Sequence, residues 1–397
     1  MEANQMRKKA RIRAGLIGAG GIANTHAKAL TELADAVDFR AVSEIDEKRG
    51  LEFQQKYSIP KFYRDYRELL ADREIDVVTI CTPAFNHALI TCAALEAGKW
   101  AICEKPVGGS IREVDTILAA ERKTGLRAAS IYQNRASRGM RALAELIRTG
   151  KAGRPLIGLC ETFWQRDHKT YYDTAPWRGT WKGEMGGCLV TLAIHIIDGL
   201  LSVMGDASWL CADAANLNHR IEVDDCSATT VHFKNGSMAS IIATSCNHEN
   251  SSRLRIVFEN MTALSHEEAY SYGKLPWRFF SADKALQKEI DACYARWNAD
   301  ACPESHKGQL LHFVNAFRNQ TEPMAAIRDA RKSLELIAGI YKSSITGERV
   351  RLPIAKSDPF YSAMNGGKKL RGAVKKPKPA PQPKARQDGT PHYITTH

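Results

Sequence analysis

The chain has 397 residues, 44% hydrophobic and 25% charged, a globular composition long enough for two domains and unlike that of a disordered or fibrous protein. The formal charge of +12 would suit a nucleic-acid partner if it covered one face, but residues 367–390 alone hold six Lys and two Arg against one Asp, so no nucleic-acid partner is expected. Ten cysteines are scattered without a CxxC pair, which predicts no metal site and, with no secretory signal or run of about 18 apolar residues in view, a cytoplasmic chain with no membrane partner.

Residues 11–137 alternate short apolar runs with amphipathic stretches, the pattern of an α/β, doubly wound parallel sheet of Rossmann type. Runs at 12–17, 39–43, 77–82, 100–103 and 127–132 read as strands, with helices at 24–33, 47–57, 66–71, 86–97 and 111–124 between them. After the first run comes Gly18-Ala19-Gly20-Gly21-Ile22-Ala23. Such a turn lets the backbone approach a pyrophosphate at Gly18 and Gly20, leads through Gly21 and Ile22 toward the helix, and allows close helix packing at Ala23. Glu44, at the end of the second strand, suits the ribose hydroxyls and repels a 2′-phosphate, so NAD is favoured over NADP, although Lys48 and Arg49 stand nearby. Thr82, Pro83, Asn86 and His87 follow a buried strand at the edge where such sheets bind ligands; His87 fits a capping or packing role equally well.

Residues 138–355 read as a second α/β domain. A linking helix at 138–149 leads into strands at 156–164, 208–216, 227–233, 237–246 and 254–259, a large, mostly antiparallel open sheet in which Asn235-Gly236 marks a hairpin. Helices at 306–318 and 327–344 and an extended piece at 349–353 complete it. Residues 366–397, rich in Pro and Lys, read as a disordered basic tail.

Glu104-Lys105-Pro106, after the fourth of the long runs, adds a candidate catalytic lysine, since removing an alcohol proton as hydride leaves needs a base, and burial beside a cationic ring lowers a lysine pKa. Taken with the glycine turn, Cys81-Thr82-Pro83, Asn86-His87, Ala94-Leu95-Glu96-Ala97-Gly98-Lys99, Gly186-Gly187, and His195 with Asp198, the chain resembles the glucose-fructose oxidoreductase/inositol dehydrogenase (Gfo/Idh/MocA) family over about residues 11–355. Tyr132-Gln133-Asn134-Arg135, Tyr171-Tyr172-Asp173 and Trp177-Arg178-Gly179-Thr180-Trp181 resemble the members that oxidise pyranosides. The resemblance implies NAD(P)-dependent hydride transfer at a ring secondary hydroxyl of a sugar, glycoside or cyclitol, giving a keto-sugar. It further implies a homo-oligomer, dimer or tetramer, through the second sheet.

On this reading Lys105 and His195 are catalytic, with Asp198 on nearly the same helical face as His195. Glu104, Lys105 and Asn134 join the glycine turn, Glu44 and the Thr82–His87 segment at the cofactor; Lys105, Tyr172, Trp177, Arg178, Thr191 and His195 meet the substrate, and His306 is a weaker candidate contact. Thr191 stands where many members carry Asp, and Cys188 where a third glycine is usual. Two other functions share these residues: glycoside cleavage or elimination through a tightly held, transiently reduced NAD, and non-catalytic nucleotide sensing.

Overall fold

The computed structural model describes residues 11–374. Six strands, β1 (Ile12–Ile17), β2 (Val37–Ser43), β3 (Lys61–Tyr63), β4 (Val77–Ile80), β5 (Trp100–Cys103) and β6 (Ala128–Ser130), form one sheet in the order β3-β2-β1-β4-β5-β6. All of its pairs are parallel. The order reverses between β1 and β4, and the crevice at such a switch point is where doubly wound sheets bind ligands. β1, β4 and β5 are apolar because helices cover both faces: every residue of β4 and β5 is buried.

The second sheet has eight strands: β7 (Pro155–Gln165), β8 (Ala207–Ala215), β9 (Cys226–Phe233), β10 (Met238–Thr244), β11 (Cys246–Phe258), β12 (Thr262–Leu264), β13 (Arg278–Phe280) and β14 (Val350–Arg351). Their order is β13-β12-β11-β7-β10-β9-β8-β14. β7 and β10 pair in parallel; the remaining pairs are antiparallel. Burial alternates along β10, with Ala239, Ala243 and Ile241 inside and Met238 and Ile242 outside, so one face packs on helices Ile194–Met204 and Ile327–Thr346 and the other is open.

Besides the short strands β3, β12 and β13, which the sequence did not suggest, several features depart from the sequence expectation. Helix Lys284–Ala299 was not anticipated; only Ile290 and Cys293 are buried along its 16 residues, too weak an apolar stripe to stand out. The expected strand at 254–259 is the end of a 13-residue strand that begins at Cys246. The helical run Trp181–Met204 is long and apolar enough to cross a membrane by length and composition, but 78% of its apolar window is buried inside the protein. Residues 366–374, assigned to a disordered tail, are held in place: Leu370 is buried, Arg371 bridges to Ala215 and pairs with Asp213. The rest of that tail lies outside the described residues.

Candidate active site

The cofactor end is built mostly from backbone. Gly18 has φ +95°, and a Cβ there would lie 2.8 Å from the carbonyl oxygen of Cys81, so only glycine lets the first turn nest against the turn after β4. Side chains at Gly20 and Gly21 would meet no described atom within 4 Å, which leaves open space above the turn. Helix Gly21–Glu32 starts from Gly20 with no side-chain cap, so its first N–H groups remain available to an anion. A cavity of about 430 Å³ opens there, and Gly18, Gly20, Glu44, Thr82, Pro83 and Asn86 line it together with Arg49, Tyr66 and Arg67.

Glu44 accepts hydrogen bonds from the Ala19 N–H at 2.8 Å and from Arg49 at 2.6 Å. Burial would raise its pKa, but Arg49 and the backbone donors of Ala19 and Asp46 outweigh burial and hold the carboxyl below its ordinary value. The Glu44 carboxylate is therefore ionised and fixed. Arg49, the cation that argued for NADP, is tied to it.

The other residues expected at the cofactor lie outside that cavity. Gly21 and Ile22 open the helix, and Ala23 is buried beneath the turn. His87 is a strut: its ring nitrogens face the carbonyls of Pro106 and Thr82, each at 2.7 Å. Asn134 spends its amide on the Tyr270–Gly273 segment, accepting from the Gly273 N–H at 3.2 Å.

Glu104 lies under the site. His26 Nε2 donates to it at 2.8 Å, His306 Nε2 lies 3.7 Å away, and its second oxygen accepts the Lys105 N–H at 3.2 Å. Burial opposes its ionisation, yet the two imidazoles keep the carboxyl well below the usual range. His306, thought of as a substrate contact, thus belongs to the support of Glu104.

Lys105 and His195 come together where the two sheets meet. Lys105 Nζ donates to the carbonyl oxygen of Thr191 at 2.8 Å. That carbonyl belongs to a π-helical turn, Leu189–Ala193, which precedes helix Ile194–Met204; one continuous helix had been expected, and a widened turn of this kind often marks a functional site. The turn is anchored by the buried Asp224, which accepts from the N–H groups of Gly187 at 2.7 Å and Leu189 at 3.0 Å. A Cβ on Gly187 would stand 1.7 Å from the Asp224 carbonyl oxygen, which explains the glycine in Gly186-Gly187.

Burial lowers the Lys105 pKa, Glu184 and Glu104 oppose it, and Arg166 adds to it. Burial also pushes His195 well down, helped by the charge of Lys105; its Nδ1 is buried with no hydrogen-bond partner among the described residues. Lys105 thus gives up its proton more readily than an ordinary lysine, and the His195 ring stays neutral. Asp198 does not orient His195, as its place on the helix suggested. It forms a two-pronged ion pair with Arg135, both bonds 2.7 Å, and Arg135 also reaches Asp329 at 3.0 Å.

Thr191 acts through its carbonyl, since its hydroxyl donates to Gly187 at 2.8 Å. Tyr172 is buried, with its hydroxyl 3.0 Å from Ser245 Oγ, whereas Tyr171 carries the polar edge. The Tyr171 hydroxyl donates to Glu184 at 2.7 Å, and the guanidinium groups of Arg178 and Arg166 lie 4.0 Å and 5.1 Å from the centre of its ring. Trp177, 40% exposed, takes the other side of Arg178. Glu184 and Arg166 are the two site residues that sequence reasoning missed. Each is a single charge in an irregular segment, and the one available signal was their place among Trp164, Tyr171 and Trp181.

Comparison with known proteins agrees with the two-sheet fold. Residues 12–132 match the model of the oxidoreductase family with an NAD-binding Rossmann fold, and residues 140–264 match the GFO/IDH/MocA C-terminal domain. Myo-inositol 2-dehydrogenase of Thermotoga maritima is 28% identical over 49% of this chain; the match spans only 55% of that relative's length. D-apiose dehydrogenase of Paraburkholderia graminis is 23% identical over 90% of this chain and 94% of its own. Among solved structures, the WlbA dehydrogenase from Bordetella pertussis, crystallised with NADH and UDP-GlcNAcA, superposes with a TM-score of 0.76 at 24% identity, over 87% of this chain and all of that one. With two family models covering more than half of its length, one on each sheet, the chain belongs to the Gfo/Idh/MocA family of NAD-binding oxidoreductases.

Proposed function

We propose that the protein oxidises a ring secondary hydroxyl of a sugar, glycoside or cyclitol, with NAD as acceptor, to give a keto-sugar. The observation that carries this reading is the position of Lys105: half-buried at the end of the dinucleotide crevice, its amine pinned to the Thr191 carbonyl and its pKa depressed beside His195, whose Nδ1 has no hydrogen-bond partner among the described residues. NAD supplies the hydride acceptor when bound. Its pyrophosphate suits the uncapped helix start at Gly20, and its adenine ribose suits Glu44.

In the oxidising direction the neutral Lys105 amine accepts the proton of the substrate hydroxyl, and His195, held neutral by its surroundings, shares the relay as a hydrogen-bonding group. Trp177, Tyr171 and Arg178 offer an aromatic wall with a cationic edge, which suits the apolar C–H faces and polar rim of a sugar ring. The relatives are named for inositol and apiose dehydrogenation, in keeping with a cyclitol or sugar substrate. We further assign residues 11–137 to cofactor binding and residues 138–355 to substrate binding and self-association. The open face of the second sheet supports the latter, since Ile157 and Met238 pair across it with 48% and 41% exposure. Ten free cysteines suit a cytoplasmic setting.

Absorbance at 340 nm tests the proposal, with pyranosides, cyclitols and glycosides offered with and without added NAD. Growth of NADH only with added NAD is the expected result. Cofactor retained through purification, with glycoside cleaved and no lasting NADH, would replace this reading by transient oxidation. Nucleotide binding without turnover of any member of the panel would favour a sensor.

A further inference from the structure

A second group of reactive side chains lies away from the catalytic seam, where the loop between β8 and β9 meets the turn between β10 and β11. His219, Asp225 and Cys246 place a ligand atom each within 4.8 Å of one another. Cys226, outside that set of three, is next to Asp225 in the chain, and its Sγ is 3.9 Å from that of Cys246. We propose that this group binds one divalent zinc-type cation, with His219 Nε2, the thiolates of Cys226 and Cys246, and the Asp225 carboxylate as ligands.

The imidazole is prepared for such a role. His219 is 8% exposed, and its Nε2 is buried with no hydrogen-bond partner among the described residues. The Ser245 backbone bonds the ring, and with Nε2 unpartnered that bond falls to Nδ1. An Nδ1–H held by a carbonyl leaves the Nε2 lone pair free, which is how a metal-bound histidine is usually fixed. Without an ion, this buried acceptor carries the cost of an unmade hydrogen bond.

The carboxylate is equally fixed. Asp225 is fully buried and accepts the N–H groups of Leu217 at 2.7 Å and of Asn218 and His219 at 2.8 Å. Three donors leave one of the roughly four acceptor positions of a carboxylate open. Zinc–sulfur bonds of about 2.3 Å in a tetrahedron put two thiolates about 3.8 Å apart, close to the observed 3.9 Å. Two sulfurs, one imidazole and one carboxylate suit zinc better than magnesium or calcium.

The other carboxylate–imidazole group, His26–Glu104–His306, does not compete. Both nitrogens of His26 are spent, on Thr79 at 2.6 Å and on Glu104 at 2.8 Å.

The cation has a structural task. The loop it would close carries Ile221 and Val223, on which Tyr172 packs. The His219 ring lies 5.0 Å from the Tyr172 ring, and Tyr172 bonds Ser245. A closed site here would fasten the floor beneath Tyr171 without touching substrate. Sequence spacing predicted no metal because the ligands fall at 219, 225, 226 and 246, and the antiparallel β9–β10 pairing, which sets Thr244 opposite Cys226, is needed before the last joins the first three.

The test uses the full chain, purified under reducing conditions, stripped with a chelator and titrated with Co²⁺ and then Zn²⁺. One Co²⁺ per chain should bind with a near-ultraviolet thiolate charge-transfer band, Zn²⁺ should displace it, and Cys246→Ser or His219→Ala should remove the band while Cys211→Ser, on an exposed cysteine, leaves it. In the unmodified chain, Zn²⁺ should slow alkylation of Cys226 and Cys246 at least tenfold and leave Cys211 unaffected, a readout that does not depend on any variant folding. Absence of a saturable band, a band retained in both variants, alkylation rates unchanged by Zn²⁺, or a Cys226–Cys246 disulfide in the purified protein would each overturn the site.

Discussion

At the cofactor crevice the working groups are backbone: N–H groups at an uncapped helix start, glycines that leave space, and one carboxylate tied by Arg49 and Ala19. At the seam between the sheets they are side chains whose properties come from one another: Lys105 is set by Glu104, Glu184 and Arg166, and His195 by Lys105. The comparison teaches why the glycine turn of a dinucleotide site can be recognised in one contiguous stretch while a reaction site cannot. Backbone geometry is local. Desolvation and charge pairing require groups far apart in the chain, here residues 104–105, 166, 184 and 195.

If the seam depends on such pairing, breaking one buried pair should cost more than any change at the crevice. Arg135→Ala strands Asp198, whose carboxyl burial already pushes up to about 6 despite Arg135. The expected loss is about 3–5 kcal/mol, read as a lower denaturant midpoint at unchanged slope. Wild-type stability in this variant would show that the pair is dispensable.

Next in size, His195→Gln should reduce kcat by about 100-fold, with NADH affinity, measured by fluorescence titration, unchanged. At the crevice, Gly18→Ala forces a side chain into positive φ against the Cys81 carbonyl. It should destabilise by roughly 1–3 kcal/mol and weaken NAD binding, which calorimetry measures; unaltered binding would mean that the two turns need not touch.

The smallest effect sharpens the comparison most. Oxidation needs neutral Lys105, so kcat/KM should rise with pH through the lysine pKa, which lies below the ordinary 10.5. Arg166 depresses that pKa and Glu184 raises it. Arg166→Gln should therefore move the acid limb to higher pH and Glu184→Gln to lower pH, each by about one unit or less. Shifts of the same sign in both variants would mean that Lys105 is not the titrating group.

The same contrast explains what the sequence revealed. The glycine turn, Glu44, and the alternation of β1, β4 and β5 with helices were readable because local period and turn chemistry determine them. The hairpin at Asn235-Gly236 was readable for the same reason. Helix Lys284–Ala299 was hidden because its burial rests on Ile290 and Cys293. Glu184 and Arg166 were hidden because nothing local distinguishes a buried loop charge from a solvated one. Asp198 was placed on the correct helix, but its partner is Arg135, 63 positions earlier, a pairing that no spacing within the helix encodes.

The most direct test of the account is Lys105→Ala, assayed for NADH formation at 340 nm with the substrate class found for the unmodified protein, beside an NADH titration of the same variant. The account predicts turnover lowered by at least about 100-fold with NADH affinity retained. Undiminished turnover would contradict it and remove Lys105 from the chemistry.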